Sequence, residues 1–212
     1  MKAFVSVVVF LSSVFLQQGN SLNCEVCGQS GTTCQGSVQP VRKGVTQCIK
    51  GMENNTLGDS MILTTFRASR DPTKHNICGM KLFLTSPGYF LGFYYDCCHT
   101  DGCNKGPIPG TYVDPVPNGY ECPGCLSLVN GVDCKPDQTI KCSGNQKECI
   151  RFTGTAIRPG DIERWYSVKG CVSKGGCTLG LESLPATKPV NFTLSCTAAR
   201  RKHGARLRAG SG

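Results

Sequence analysis

"YYDCCHTDGCN", residues 94–104, places two adjacent cysteines, a histidine, an aspartate and a third cysteine within eleven positions. Whether this is a reactive cluster or a covalent frame depends on the medium its thiols meet, and the start of the chain bears on that. Met1 to Ser21, "MKAFVSVVVFLSSVFLQQGNS", joins a lysine to an apolar run and ends in a polar stretch with small residues, the pattern of a cleaved secretory signal. The run is too short to cross a bilayer core of ~30 Å, which takes ~20 residues, and no second such run follows. The expectation is a secreted, extracellular and soluble protein beginning near Leu22, in an oxidising compartment where disulfides form and persist. All sixteen cysteines lie after Ser21, an even number at the density of a disulfide scaffold.

Neighbouring residues on a strand point to opposite faces, so Cys97 and Cys98 are expected to take different partners. Cys98 with Cys103 would close a small loop around His-Thr-Asp-Gly, leaving Cys97 to reach back to Cys78. The cysteines fall into two sets of eight, Cys24 to Cys103 and Cys122 to Cys196. Each set opens alike, "CEVC" at 24–27 and "CPGC" at 122–125, followed by Cys34 and Cys134. That is an internal repeat of about 90 residues and reads as two tandem domains, 22–104 and 120–197. Residues 1–21 are the signal, 105–119 a proline-rich linker, and 198–212 a basic disordered tail. Four prolines in the linker, Pro107, Pro109, Pro115 and Pro117, fix φ and remove amide donors, so it is expected to be extended, to space the domains and to set their angle.

Within the domains, short runs rich in β-branched and aromatic residues alternate with Gly, Pro, Asn and Asp clusters. "SMILTTFR" (60–67), "MKLFLT" (80–85), "FLGFYYDC" (90–97), "ECIRFTGTAI" (148–157) and "RWYSVKGC" (164–171) read as strands, with "SPG" (86–88) and "RPGD" (158–161) as turns. No long segment has helical periodicity, so the fold class is all-β and disulfide-rich.

The net charge is +9, but Arg200, Arg201, Lys202, Arg206 and Arg208 supply five of those charges from the tail. The basic balance therefore says little about the domains, and no nucleic-acid partner is expected. The tail has no apolar stretch of the kind a lipid anchor requires, which favours a soluble protein.

The N-terminal "LNCEVC" and the closing "CCHTDGCN" resemble the Ly6/uPAR three-finger family, in which a knot of disulfides holds three β-hairpin loops. The tandem arrangement, "PIPG" followed by "PVPNGYECPG", and "RPGDIERWYSVKGCVS" are similar to the gamma-type phospholipase A2 inhibitors, across nearly all of Leu22 to Cys196. The resemblance implies two tandem three-finger domains with the pairs Cys24–Cys48, Cys27–Cys34, Cys78–Cys97 and Cys98–Cys103, then Cys122–Cys149, Cys125–Cys134, Cys142–Cys171 and Cys177–Cys196. A fifth family bridge would fall near Val41 and Pro72, and both halves are missing together. The second domain lacks the closing pair, so its third finger is expected to be looser. The resemblance also gives Asn104 a role bonding backbone at the base of the fold.

"CCHTDGC" is superficially similar to the catalytic Cys-Cys-x-x-His-Asp-x-Cys of secreted phospholipases A2. The order differs, since Asp101 stands where the histidine would be, and no Gly-rich calcium loop precedes it. The two Cys-x-x-Cys pairs lie about one domain apart, too far for a zinc ribbon, which spaces its pairs by ~15–20 residues. His75, His99 and His203 are scattered. No enzyme activity, metal or cofactor is expected.

What the resemblance implies is a protein that inhibits a secreted phospholipase A2 by binding it, open to homo- or hetero-oligomers. The alternative is a Ly6/uPAR-type ligand-binding or adhesion protein, either soluble or an isoform of an anchored one. Partner contacts are expected on the linker, at Pro107, Ile108, Pro109, Pro115, Pro117 and Tyr120. Two further sites are Arg164 with Tyr166, facing out while Trp165 packs inward, and the tip of the first domain's third finger at Tyr89 and Phe90. Sequons mark Asn54, expected between strands and accessible, and Asn191 as glycan acceptors.

Overall fold

A computed structural model describes residues 21–71, 78–110, 116–179 and 184–202. The first half comprises β1 (Asn23–Ser30), β2 (Ser37–Pro40), β3 (Gln47–Leu57), β4 (Ser60–Arg70), β5 (Lys81–Ser86) and β6 (Tyr89–Cys98). The second comprises β7 (Pro117–Ser127), β8 (Gln138–Ser143), β9 (Gln146–Ile157), β10 (Glu163–Ser173), β11 (Lys188–Ala198) and the two-residue β12 (Arg200–Arg201). All pairings are antiparallel, and the described residues contain no helix. In the first module the fingers are β1–β2, β3–β4 and β5–β6. In the second, β7–β8 and β9–β10 make two fingers and, among the described residues, β11 alone represents the third. Pro87 and Gly88 turn β5 into β6. Proline sets the first turn residue, and Gly88 takes the left-handed φ of 65° that the second requires.

Bridges join Cys24 to Cys48, Cys27 to Cys34, Cys78 to Cys97 and Cys98 to Cys103 in the first module. The second has Cys122–Cys149, Cys125–Cys134, Cys142–Cys171 and Cys177–Cys196. Their Cα–Cα separations run from 5.3 to 6.0 Å, a span that bridges without backbone distortion. Closing a loop as long as Cys24–Cys48, a sequence separation of 24, removes about 3–4 kcal/mol of freedom from the unfolded chain in the chain-entropy picture.

The two modules are not separate bodies on a spacer. One twelve-stranded sheet runs through both, because β5 pairs with β10 at Thr85↔Cys171 and Leu84↔Val172. Leu82, Leu84, Leu91 and Phe93 from the first module share a core with Ile150, Phe152, Tyr166, Val168 and Val172 from the second. Ser86 Oγ lies 3.0 Å from the carbonyl oxygens of both Cys125 and Lys169. The Ser173 hydroxyl accepts from the Phe83 amide at 2.9 Å, and Gln146 Nε2 donates to Thr85 Oγ1 at 2.9 Å. The expectation that the linker sets the angle between modules is therefore corrected: this seam of strand pairing and buried side chains does so.

The tail boundary also shifts. Ala199 is buried, its amide donates to Lys147 O, and Arg200 and Arg201 pair with Glu121 and Tyr120 of β7. The chain is thus ordered to Lys202, whose amide donates to Gly119 O at 2.8 Å. Residues 1–20 of the expected signal (1–21), Pro72, Pro115 and the part of the expected tail from 203 onward lie outside the described residues.

Candidate functional site

At the base of the first module, Asn104 is fully buried. Its Nδ2 donates to Glu25 O at 2.8 Å and Ile49 O at 3.0 Å, and its Oδ1 accepts from Glu25 N at 3.0 Å. Arg67 beside it forms a buried ion pair with Glu25, Nη1 to Oε2 at 3.0 Å, and donates through Nη1 to Asn104 O and through Nη2 to Gly106 O at 2.6 Å. A charge this deep is tolerated when it is paired and hydrogen-bonded, as Arg67 is through Nη1 and Nη2. Here they fix the point from which the linker leaves.

His99 and Asp101 are both exposed and engaged with the frame. His99 Nδ1 sits 3.1 Å from Thr46 O, and the Asp101 carboxylate accepts from Asn23 N at 2.8 Å and Asn23 Nδ2 at 3.1 Å. Among the described residues, the grouping with metal-ligand spacing is Cys122, Cys142 and Cys171. Their sulfurs are committed to the bridges Cys122–Cys149 and Cys142–Cys171, which pack 3.6 Å apart and offer no thiolate.

Two expected contact sites are corrected. Tyr89 does not stand at an open fingertip. It is buried between the modules, with its ring centroid 6.4 Å from that of Tyr166. Phe90 is half-buried and stacks on Phe83 at 6.4 Å. Strand alternation is obeyed, but the inward and outward faces of β10 are the reverse of the expectation. Tyr166 points into the shared core, while Trp165 is half-covered on the outer face and donates from Nε1 to Val132 O at 3.2 Å. Arg164 is exposed, with Nε 3.1 Å from Asp161 Oδ1. What the sequence could not reveal was the sheet continuing across the module boundary, which makes the fingertip of one module the core of the other.

That boundary also holds a polar cluster. Glu53 on β3 is fully buried. Its carboxylate accepts from the amides of Ala186 at 2.9 Å and Thr187 at 3.1 Å, and from the Thr187 hydroxyl. Asn55 Nδ2 donates to Thr187 Oγ1 at 2.7 Å and to Tyr89 Oη at 3.3 Å. Arg158, from the turn between β9 and β10, donates from Nε to Asn55 Oδ1 at 2.7 Å and from Nη2 to Asn55 O at 3.2 Å. Burial pushes the Glu53 carboxyl above the ordinary carboxylate range, and the hydroxyl and amide donors only partly offset it. Sequence reasoning missed these residues. Their one signal was polarity inside "GMENNTL", which reads as a loop.

The exposed surface is where a partner could dock. On the linker, Pro107, Pro109 and Pro117 are exposed, as is Val116, while Ile108 and Tyr120 are half-buried. At the first fingertip of the second module Leu128, Val129 and Val132 are exposed, beside Trp165. Below them Asp133 draws in Arg151 at 2.7 Å, Lys169 at 3.2 Å and the Ser167 hydroxyl at 2.8 Å. The Ser167 hydrogen bond, with the two cations, holds its carboxyl below the usual range. Asn191 is exposed on β11. Asn54 lies inside β3, half-buried, with Oδ1 accepting from Thr56 Oγ1 at 2.8 Å, which corrects its expected place between strands.

Two modules of disulfide-braced fingers, with their buried acids and bases committed to holding the chain together and their apolar side chains exposed on tips and linker, define a tandem three-finger binding protein. No family model matches the chain. It is 30% identical over 172 residues to a phospholipase A2 inhibitor gamma chain of Elaphe quadrivirgata, covering 78% of this chain and 81% of that one. It is 28% identical over 169 residues to phospholipase A2 inhibitor CgMIP-I of Cerrophidion godmani, covering 78% and 80%. The chain belongs to the gamma-type phospholipase A2 inhibitor family. The crystal structure of mouse TEX101 superposes with a TM-score of 0.35 at 15% identity, over 83% of this chain and 98% of that one.

Proposed function

We propose that this chain is a secreted protein that binds a phospholipase A2 and inhibits it by covering the face through which the enzyme meets lipid. The observation that carries the reading is its likeness, across both modules, to proteins named as inhibitors of that enzyme. It is a binding function, without catalysis by this chain. The linker supports it chemically. Pro107, Pro109 and Pro117 hold exposed apolar surface on a backbone with fixed φ, which loses little freedom on docking, and Arg67 pins its start through Gly106 O. Ile108, Pro115, Tyr120 and Arg164 are the accompanying contacts.

The test is titration of the purified disulfide-intact protein against a panel of secreted phospholipases A2, following both binding and hydrolysis of vesicle phospholipid. At least one enzyme is expected to bind and lose activity. Replacing Pro107, Ile108 and Pro109 together by serine should weaken that binding without lowering the melting temperature. If no enzyme binds and a cell-surface or matrix ligand does, the reading gives way to an adhesion or receptor-type function.

A further inference from the structure

Cations expected in a disordered tail are instead fixed at the base of the second module. β12 pairs Arg200 with Glu121 of β7, and β7 pairs the same Glu121 with Lys141 of β8. Residues directly opposite on antiparallel strands share a face, so Lys141, Glu121 and Arg200 form one cross-strand row. Lys202, two positions beyond Arg200, joins that row, with Nζ 3.8 Å from Glu121 Oε1 while its side chain stays 62% exposed. Arg201, opposite Tyr120, belongs to the other face. Lys141, Arg200 and Lys202 are thus gathered around a single carboxylate.

Two open clefts run along this end of the module. One, of about 370 Å³, is lined by Glu121, Thr139, Thr197, Ala198 and Arg200 among others. The second, of about 450 Å³, is lined by Lys147, Glu148, Lys174, Thr178, Thr197 and Ala198 among others. Thr197 and Ala198 wall both, so the clefts adjoin and form one groove. Lys147 is held beside that wall, since its carbonyl accepts from Ala199 N at 3.0 Å. The Glu148 carboxylate is already engaged, with Oε1 accepting from Gly175 N at 3.1 Å. Lys141, Lys147, Lys174, Arg200 and Lys202 are all exposed, against the two half-buried acids Glu121 and Glu148. Among the described residues, Lys141, Lys147 and Lys174 form no ion pair.

We infer that this groove binds a linear sulfated glycan, with its sulfates on the cations and its hydroxyls on Thr139, Thr178 and Thr197. The cations are spread over strands about 4.8 Å apart and do not converge on one point, which suits a repeating polyanion over a small anion. The three threonines are exposed along the walls and offer hydroxyl partners to a sugar. A lasting grip on a lipid surface takes apolar side chains beside the charges. In this module the exposed Leu128, Val129, Val132 and Ile162 lie instead on the fingertip turns, at the far ends of the strands. A single-stranded nucleic acid takes an aromatic platform, and Trp165 packs at that far end, on Val132. Glycan binding stands apart from phospholipase binding and does not depend on it.

Titration of the disulfide-intact protein with heparin and with chemically desulfated heparin, at several salt concentrations, tests this. A Lys141→Ser, Lys147→Ser, Lys174→Ser variant removes exposed cations from the groove and should keep the wild-type melting temperature. Arg42→Ser, Lys43→Ser, Lys135→Ser is the control, with the same charge lost from exposed sites elsewhere. Wild type and control should bind heparin, and desulfation should abolish most of that binding. The groove variant's dissociation constant should rise about tenfold or more, and its slope of log affinity against log salt should be shallower by roughly two to three, one counterion-releasing contact per lysine. In the wild type, a heparin hexasaccharide should shift the amide NMR signals of Thr197 and Ala198, a readout that holds even if the variant misfolds. A wild type that ignores heparin, equal weakening in groove variant and control, or shifts that spare Thr197 and Ala198 overturns the inference. So does equally tight binding of DNA or of anionic phospholipid vesicles, which would show charge alone at work.

Discussion

Arg158 donates from Nε to Asn55 Oδ1 at 2.7 Å, although the two residues stand 103 positions apart in different modules and both are buried. The contact, with Arg158 Nη2 to Asn55 O and Ser60 O, ties the second finger of one module to that of the other. Arg158→Met keeps most of the side-chain volume and leaves these acceptors without a donor, at a cost of about 2–3 kcal/mol. Calorimetry should show the wild type unfolding in a single transition, because the core is shared, and the variant melting several degrees lower. A variant that melts like the wild type would mean that water satisfies the cluster.

Glu53 makes the same boundary sensitive to pH. Its folded pKa stands above the ordinary value of 4.5 because burial disfavours the charged form. Its contribution to stability is therefore fully present below 4.5 and is lost as pH rises through the folded value. Glu53→Gln cannot titrate. The stability of the wild type minus that of this variant should therefore increase on acidification, with other carboxylates cancelling in the difference. Denaturant titrations of both proteins at several pH values measure it, and a difference that shrinks as pH falls would refute the assigned direction.

The pairing of hairpins was legible where apolar alternation is strong: 60–67, 80–85, 90–97, 148–157 and 164–171 all fall inside or within a residue of β4, β5, β6, β9 and β10. β3 was harder, because Glu53 and Asn55 occupy buried positions where a strand ordinarily carries apolar residues. They are polar because they face a second module, and a single-domain pattern holds no trace of that. The same long-range pairing hid the fates of Tyr89 and Tyr166. Aromatic residues at a fingertip read as a contact site, and they are one, but the partner is this chain. Pro107 and Pro109, by contrast, lie outside any strand, the place that proline's missing amide leads one to expect.

Gly170 is the close-approach point of the seam. A Cβ there would lie 2.1 Å from Thr85 O, so Gly170→Ala must push β5 away from β10. The expected cost is about 1–3 kcal/mol, the usual range for overpacking a filled site. Hydrogen exchange at Leu84 and Thr85 should accelerate with it. Gly28→Ala serves as the control, since a Cβ at Gly28 meets nothing within 4 Å, and it should leave both readouts unchanged.

Asn104 offers the sharpest chemical test, because its amide both donates to Glu25 O and Ile49 O and accepts from Glu25 N. Asn104→Ala strands three buried backbone groups, at about 2–4 kcal/mol in all. Asn104→Asp keeps the shape and the acceptor but turns a carboxylate oxygen toward two carbonyls, with the Glu25 carboxylate on the same network. Its folded pKa must therefore rise, since only the protonated form can donate to a carbonyl. At neutral pH the Asp variant should melt well below the wild type and recover part of the loss as pH falls through that raised pKa, whereas the Ala variant should show no such recovery. Parallel melting curves for the two variants across pH would show that Asn104 acts by volume rather than by hydrogen bonding.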